Sequence, residues 1–213
     1  YGFAPLDENT LLLFVADDAG KGVYGVMNMS LLLSHLKAAA REGLPPAQIA
    51  ARVNRDVYES LQPYSFASAF IAKLDLRTGM LGYVNCGHPP PLVLRAGDPA
   101  QVQRLSSGLT MIGVTTRPAF VNFSVQLQPG DTLIIFTDGI TEARNRKREF
   151  FTEQGVIEAV RGLEQASAEE VAATVMQRVR QFCGGELEDD AIVLVLRRHW
   201  PSAESGSHPA PAR

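Results

Sequence analysis

The chain has 213 residues, 46% hydrophobic and 20% charged, with a formal net charge of -3. A chain of this length buries roughly 70% of its unfolded surface, so one sizeable core is expected, and the acidic balance excludes the basic footprint that a nucleic-acid partner needs. The longest apolar runs are strand-sized, well short of the roughly 20 residues of a membrane span, and no signal peptide opens the chain; Cys86 and Cys183 stand far apart without metal-ligand spacing, which fits a reducing, cytoplasmic setting.

Residues 11–16 form a continuous apolar run that ends in Asp17, Asp18 and a Gly-rich stretch, the pattern of a buried strand entering a turn. Residues 23–40 predict a largely buried helix, with Val26, Met29, Leu33, Leu36 and Ala40 on one stripe. Pro45 and Pro46 suit a helix start, and Ile49, Val53, Val57 and Leu61 recur every four residues, predicting a second, amphipathic helix. Short strands are then predicted over 66–74, 80–86, 91–95, 119–127 and 132–137, separated by Gly-, Pro- and Asp-containing turns such as Gln128-Pro129-Gly130-Asp131. Helices are predicted near 153–163 and 168–182, the latter with Val171, Val175, Val179 and Phe182 on one face, and 191–196 closes as a core strand. Residues 200–213 lack any apolar side chain larger than alanine after Trp200 and are expected to be a disordered tail. The pattern implies an α+β domain over 1–199, with two antiparallel sheets packed as a β-sandwich and helices outside.

Acidic residues recur where these strands end: Asp17-Asp18, Asp138-Gly139, and Glu188-Asp189-Asp190. Any one Asp beside Gly is ordinary turn chemistry. A set of carboxylates beside core strands is another matter, because an uncompensated buried charge is costly and a cation would offset it. Carboxylate and carbonyl donors without His or Cys suit hard ions such as Mg2+ or Mn2+, and two such ions about 3.5–4 Å apart can hold a water and a phosphoryl group together.

These residues also carry a resemblance. Asp17 to Val23 is similar to the Asp-Val-Ser-Gly-Lys-Gly-Val signature of the SpoIIE-like, protein phosphatase 2C-type serine/threonine phosphatases. Asn85-Cys86-Gly87-His88-Pro89-Pro90 resembles their Asn-Ala-Gly-His-Pro-Pro segment, Thr137-Asp138-Gly139-Ile140-Thr141-Glu142-Ala143 their Thr-Asp-Gly-Val-Thr-Glu-Ala, and Asp189-Asp190 their late Asp pair. The resemblance implies a β-sandwich flanked by helices that holds two Mn2+ or Mg2+ ions. Asp17 would bridge them, the Asp18 carbonyl would assist, and Asp138 and Asp189 would complete the site. It implies in-line attack on phosphorus by a metal-activated water. The substrate implied is a phosphoserine or phosphothreonine protein, in this branch an anti-sigma-factor antagonist. It further implies an upstream receiver or sensor domain, and the two long helices are candidates for coupling or homodimerisation.

Several positions depart from the family pattern. Gly2 stands where its first strand has an acid, so that first strand is expected to be lacking; Ala19 replaces Ser or His, Asp18 an apolar residue, and Ile192 a Thr. These departures leave open a second reading, a weak or inactive pseudophosphatase that binds a partner. His88 is a candidate for a direct chemical role, with stabilisation of its own turn as the alternative. Lys21 does not complete a phosphate-binding GxxxxGK[ST] motif. The run Arg144-Asn145-Arg146-Lys147-Arg148 is expected to be an exposed loop able to meet an acidic partner or the substrate phosphate.

Overall fold

A computed structural model describes residues 1–18, 23–58, 66–98, 101–105, 108 and 110–199. Ala19, Lys21, Leu61 and the expected tail at 200–213 lie outside the described residues. In chain order the elements are β1 (Gly2–Pro5), β2 (Thr10–Asp18), α1 (Val23–Ala40), α2 (Pro46–Tyr58), β3 (Ala67–Asp75), β4 (Met80–Cys86), β5 (Leu92–Leu94) and β6 (Val102–Arg104). They continue with β7 (Phe123–Gln126), β8 (Thr132–Phe136), α3 (Asp138–Thr141), α4 (Thr152–Val160), α5 (Ala168–Cys183) and β9 (Val193–Arg197). Among the described residues the strands form two antiparallel sheets, ordered β1-β2-β3-β4-β7 and β6-β5-β8-β9.

The continuous apolar runs follow from burial on both faces of each sheet, which removes the polar half of the usual strand alternation. In β2, Leu12, Phe14 and Ala16 pack under α1 and α2, whereas Leu13 and Val15 face the second sheet. In β8, Leu133 and Ile135 face the first sheet, and Ile134 and Phe136 pack under α3, α4 and α5. The result is a layered sandwich, helices on sheet on sheet on helices, as expected. Strand parity then decides where the acids point. Asp17 shares the parity of Leu13 and Val15, so it emerges at the rim of the seam between the sheets.

Three expectations need correction. The first strand is not missing from the sheet: Gly2–Pro5 pair with β2, and Gly2 stands opposite Phe14, away from the Asp17 rim. A Cβ at Gly2 would lie 2.4 Å from the Phe14 ring, so packing accounts for the glycine there. The helix at 23–40 has the expected bounds but not the expected stripe. Gly25, Asn28, Leu32, Leu36, Ala39 and Ala40 are buried, while Val23, Val26 and Met27 are exposed, so the buried stripe is turned away from the expected one in the first turns. The strand expected over 119–127 shortens to β7, because the β4 edge beyond Tyr83 is taken by another segment: Gly108 N–H donates to the Asn85 carbonyl at 2.9 Å.

Cys86 is buried and burial pushes its thiol up, which makes it a core residue. No helix among the described residues is long and apolar enough to cross a membrane.

Candidate active site

The rim where β2 and β8 end opens into a cavity of about 410 Å³. Its polar wall comes from four elements or turns. Asp17 and Asp18 stand at the end of β2, Ser68 on β3, His88 in the turn after β4, and Asp138 and Glu142 on and just after α3; Phe66, Pro90 and Met111 add apolar surface. Ser68 is directly paired with Asp17 across the β2–β3 ladder, so the two side chains share the face that looks into the seam.

Asp17 and Asp138 converge on the cavity, close enough for the carboxyl of Asp138 to act on that of Asp17. The Asp17 carboxyl is pushed up to about 6, chiefly by burial and then by the negative charge of Asp138, with a smaller push from Asp189. The Asp18 backbone N–H opposes the shift. Neither Asp17 nor Asp138 is ion-paired to Lys, Arg or His among the described residues.

Asp189, expected as a further ligand, is not in the cavity wall. It is exposed, and its Oδ1 accepts from the Asp190 N–H at 2.8 Å. The loop that carries it is tethered to the base of the site. Thr137 Oγ1 donates to the Asp190 carbonyl at 3.1 Å and accepts from Ile192 N–H at 3.0 Å. That tie to Ile192 uses backbone atoms, so the departure from Thr at 192 leaves it intact. Gly139 is required by the same contact, since a Cβ there would lie 2.3 Å from the Asp190 carbonyl oxygen. Among the described residues no three His, Cys, Asp or Glu side chains are arranged to hold an ion; the structure brings together Asp17, Asp18 and Asp138 and leaves Asp189 at the edge.

His88 is 2% exposed. Its backbone N–H donates to Asn85 Oδ1 at 2.8 Å, and its Nδ1 lies 3.2 Å from Ser68 Oγ. Burial lowers its pKa to about 4, against a smaller opposing pull from the Phe136 carbonyl. The ring is therefore neutral at pH 7 and is no proton donor there. Its ring meets β3 at Ser68, the residue paired with Asp17. Nε2 makes no hydrogen bond among the described residues. Ser68, Asn85 and Glu142 escape the sequence reading as site residues; Asn85 and Glu142 lie inside the quoted signatures, but no spacing singles out Ser68.

The donor chemistry around the cavity is all oxygen, apart from the His88 ring, and the two converging carboxyl groups have no ion-pair partner among the described residues. Both features fit hard divalent ions.

Residues 7–199 match the family model described as Stage II sporulation protein E (SpoIIE). The chain is 24% identical over 192 residues to the phosphoserine phosphatase RsbU of Bacillus subtilis (strain 168), covering 90% of this chain and 57% of that protein; it thus spans little more than half the relative's length. Among solved structures it resembles the RsbU and RsbW domains of Rv1364c from Mycobacterium tuberculosis, with TM-score 0.79, 24% identity and coverage of 92% of this chain and 54% of that one. It also resembles the SiaA-PP2C domain of Pseudomonas aeruginosa, with TM-score 0.80, 21% identity and coverage of 92% and 78%. These likenesses concern the fold.

Proposed function

The chain belongs to the SpoIIE family, and from that premise we propose that it is a metal-dependent phosphatase acting on phosphoserine or phosphothreonine in a regulatory protein. The observation that carries this reading is the convergence of Asp17 and Asp138 at the mouth of the seam, with neither ion-paired among the described residues. The relative RsbU is named a phosphoserine phosphatase, and an anti-sigma-factor antagonist is the substrate class that the family resemblance favours.

Asp17 and Asp138 would hold two Mn2+ or Mg2+ ions, with the Asp18 carbonyl beside them and Asp189 adding charge from the rim. When bound, such ions lower the pKa of a water and neutralise the phosphoryl oxygens. The chain's own part is positional. Paired strands fix Asp17 against Ser68. The neutral His88 ring holds Ser68 in place, and Phe66, Pro90 and Met111 narrow the space open to bulk water. Since His88 does not supply a proton at neutral pH, the leaving serine oxygen takes its proton from water.

Phosphate release from p-nitrophenyl phosphate tests the reading. Turnover should require Mn2+ or Mg2+, stop in EDTA, and fall by about 10³-fold in Asp17→Asn, with the far-ultraviolet circular dichroism unchanged. Turnover that survives EDTA or the substitution contradicts it. A folded, metal-supplied protein with no turnover leaves the pseudophosphatase, a module that binds its partner without hydrolysing it.

A further inference from the structure

Residues 144–150 form a built hairpin beside the site. Arg144 and Phe150 make an antiparallel bridge, and the Phe151 N–H donates to the Ala143 carbonyl at 2.9 Å. Asn145 organises the tip: its Oδ1 accepts from the N–H groups of Lys147 at 2.9 Å and Glu149 at 3.0 Å. Its Nδ2 donates to Glu149 Oε2 at 2.8 Å, which occupies the one acid of the segment. The Arg144 guanidinium lies 4.8 Å from the centre of the Phe150 ring, and Arg148 turns the chain at φ 64°.

This scaffold presents Arg146, Lys147 and Arg148 to solvent, and none of them is ion-paired among the described residues. A concentration of positive charge is conspicuous on a chain whose net charge is -3. Its place matters more than its sign. Glu142 lines the cavity, and Arg144 follows two residues later, within about 8 Å along the chain. Lys147 at the tip is five residues beyond Glu142, at most about 18 Å away, a reach that an extended peptide of roughly 3.3 Å per residue covers within about five positions.

We propose that this hairpin docks acidic side chains within about five positions of the phosphorylated residue of a protein substrate. The proposal rests on the phosphatase reading and names the substrate chemistry that site selects. An acidic enzyme repels an acidic partner at long range, and a local basic finger reverses the sign of the potential beside the site. Held rigid by Asn145, the finger loses little freedom on binding.

The test uses two labelled peptides that carry a non-hydrolysable phosphonate at the serine position, one flanked by glutamates and one by lysines. Fluorescence anisotropy should show the acidic peptide binding about tenfold more tightly to the wild-type chain, with the advantage shrinking as NaCl rises. The double variant Lys147→Glu, Arg148→Glu should erase the preference and leave p-nitrophenyl phosphate turnover unchanged. Equal affinities for the two peptides, no binding of either, or a preference that survives the charge reversal overturns the proposal. Loss of metal-dependent aryl phosphate turnover in the wild-type chain refutes the phosphatase reading instead, because the peptide measurement does not depend on turnover.

Discussion

Strand β8 is flanked by two aspartates that the fold treats in opposite ways. Asp131, just before it, is 1% exposed, and its carboxylate accepts from Arg95 at 2.5 Å, from Ala96 N–H at 3.0 Å and from Gln128 N–H at 2.9 Å. Every demand of that buried charge is met by the chain itself. Asp138, just after the strand, opens into the cavity and faces Asp17. A carboxylate beside a core strand needs compensation. At one end of β8 the protein supplies it, and at the other no ion pair among the described residues does. The difference separates an acid satisfied by the fold from one left open to the cavity more sharply than either sequence context does.

Substituting the two aspartates tests that contrast directly. Asp138→Asn should lower aryl phosphate turnover by about 10³-fold, equivalent to about 4 kcal/mol in the barrier. In EDTA its thermal midpoint should stay level or rise, because repulsion with Asp17 is relieved. Asp131→Ala should do the reverse. Removing one partner of a buried pair leaves Arg95 uncompensated and should cost about 3 kcal/mol in urea unfolding, while turnover per folded molecule is kept. An Asp138→Asn chain that fails to fold, or an Asp131→Ala chain that folds but does not turn over, would collapse the distinction.

A smaller effect comes from pH, acting on the wall between the two carboxylates. His88 has its folded-state pKa lowered to about 4 by burial, so the unfolded chain takes up the proton first. Its contribution is fully present above pH 6.5 and is lost as pH falls toward 4. Between pH 7 and pH 5 that amounts to about 2 kcal/mol. Asp17 works in the opposite direction. Its carboxyl is raised to about 6 by burial and by Asp138, so without metal its contribution is present below the ordinary carboxylate value of 3.8 and is lost as pH rises through 6. Because Asp17 is only half-buried, solvent screening makes its share the smaller one. Urea unfolding in EDTA should therefore show the wild-type chain losing stability from pH 7 to pH 5 and a His88→Asn chain gaining it. Parallel pH profiles for the two proteins would remove His88 from the account.

The sequence made these placements legible to differing depths. In α5, local and tertiary signals agree. Ser167 and Glu170 form a capping box, Gly184 caps the far end, and Val171, Val175 and Val179 are buried as their spacing predicts. In α1 the apolar residues are too many to define a face by periodicity, and the buried set is fixed by where β2 lies beneath it. That contact is not written in the spacing. The acids were readable because each adjoins an apolar run, and strand parity turns Asp17 toward the seam. The His88–Ser68 contact was not, since it joins a turn to the far side of a neighbouring strand. Asp131 read as a turn residue, and only Arg95 across the fold makes it a buried charge.

Asp189 is where the contrast is least decided by the fold, and its substitution should have the smallest effect. Its charge reaches Asp17, yet the side chain is exposed and one oxygen is engaged by its own loop. Exposed charges act through solvent and are worth little individually. Asp189→Asn should therefore reduce turnover by about tenfold, equivalent to 1.4 kcal/mol, and raise the Mn2+ concentration needed for half-maximal turnover by a similar factor. The amide keeps the size of the side chain, so the loop tether through Thr137 and the Asp190 carbonyl should survive. A loss as deep as that of Asp138→Asn would mean that the loop closes onto the cavity when ions bind. Asp189 would then belong with Asp138, as an acid whose compensation comes from outside the chain.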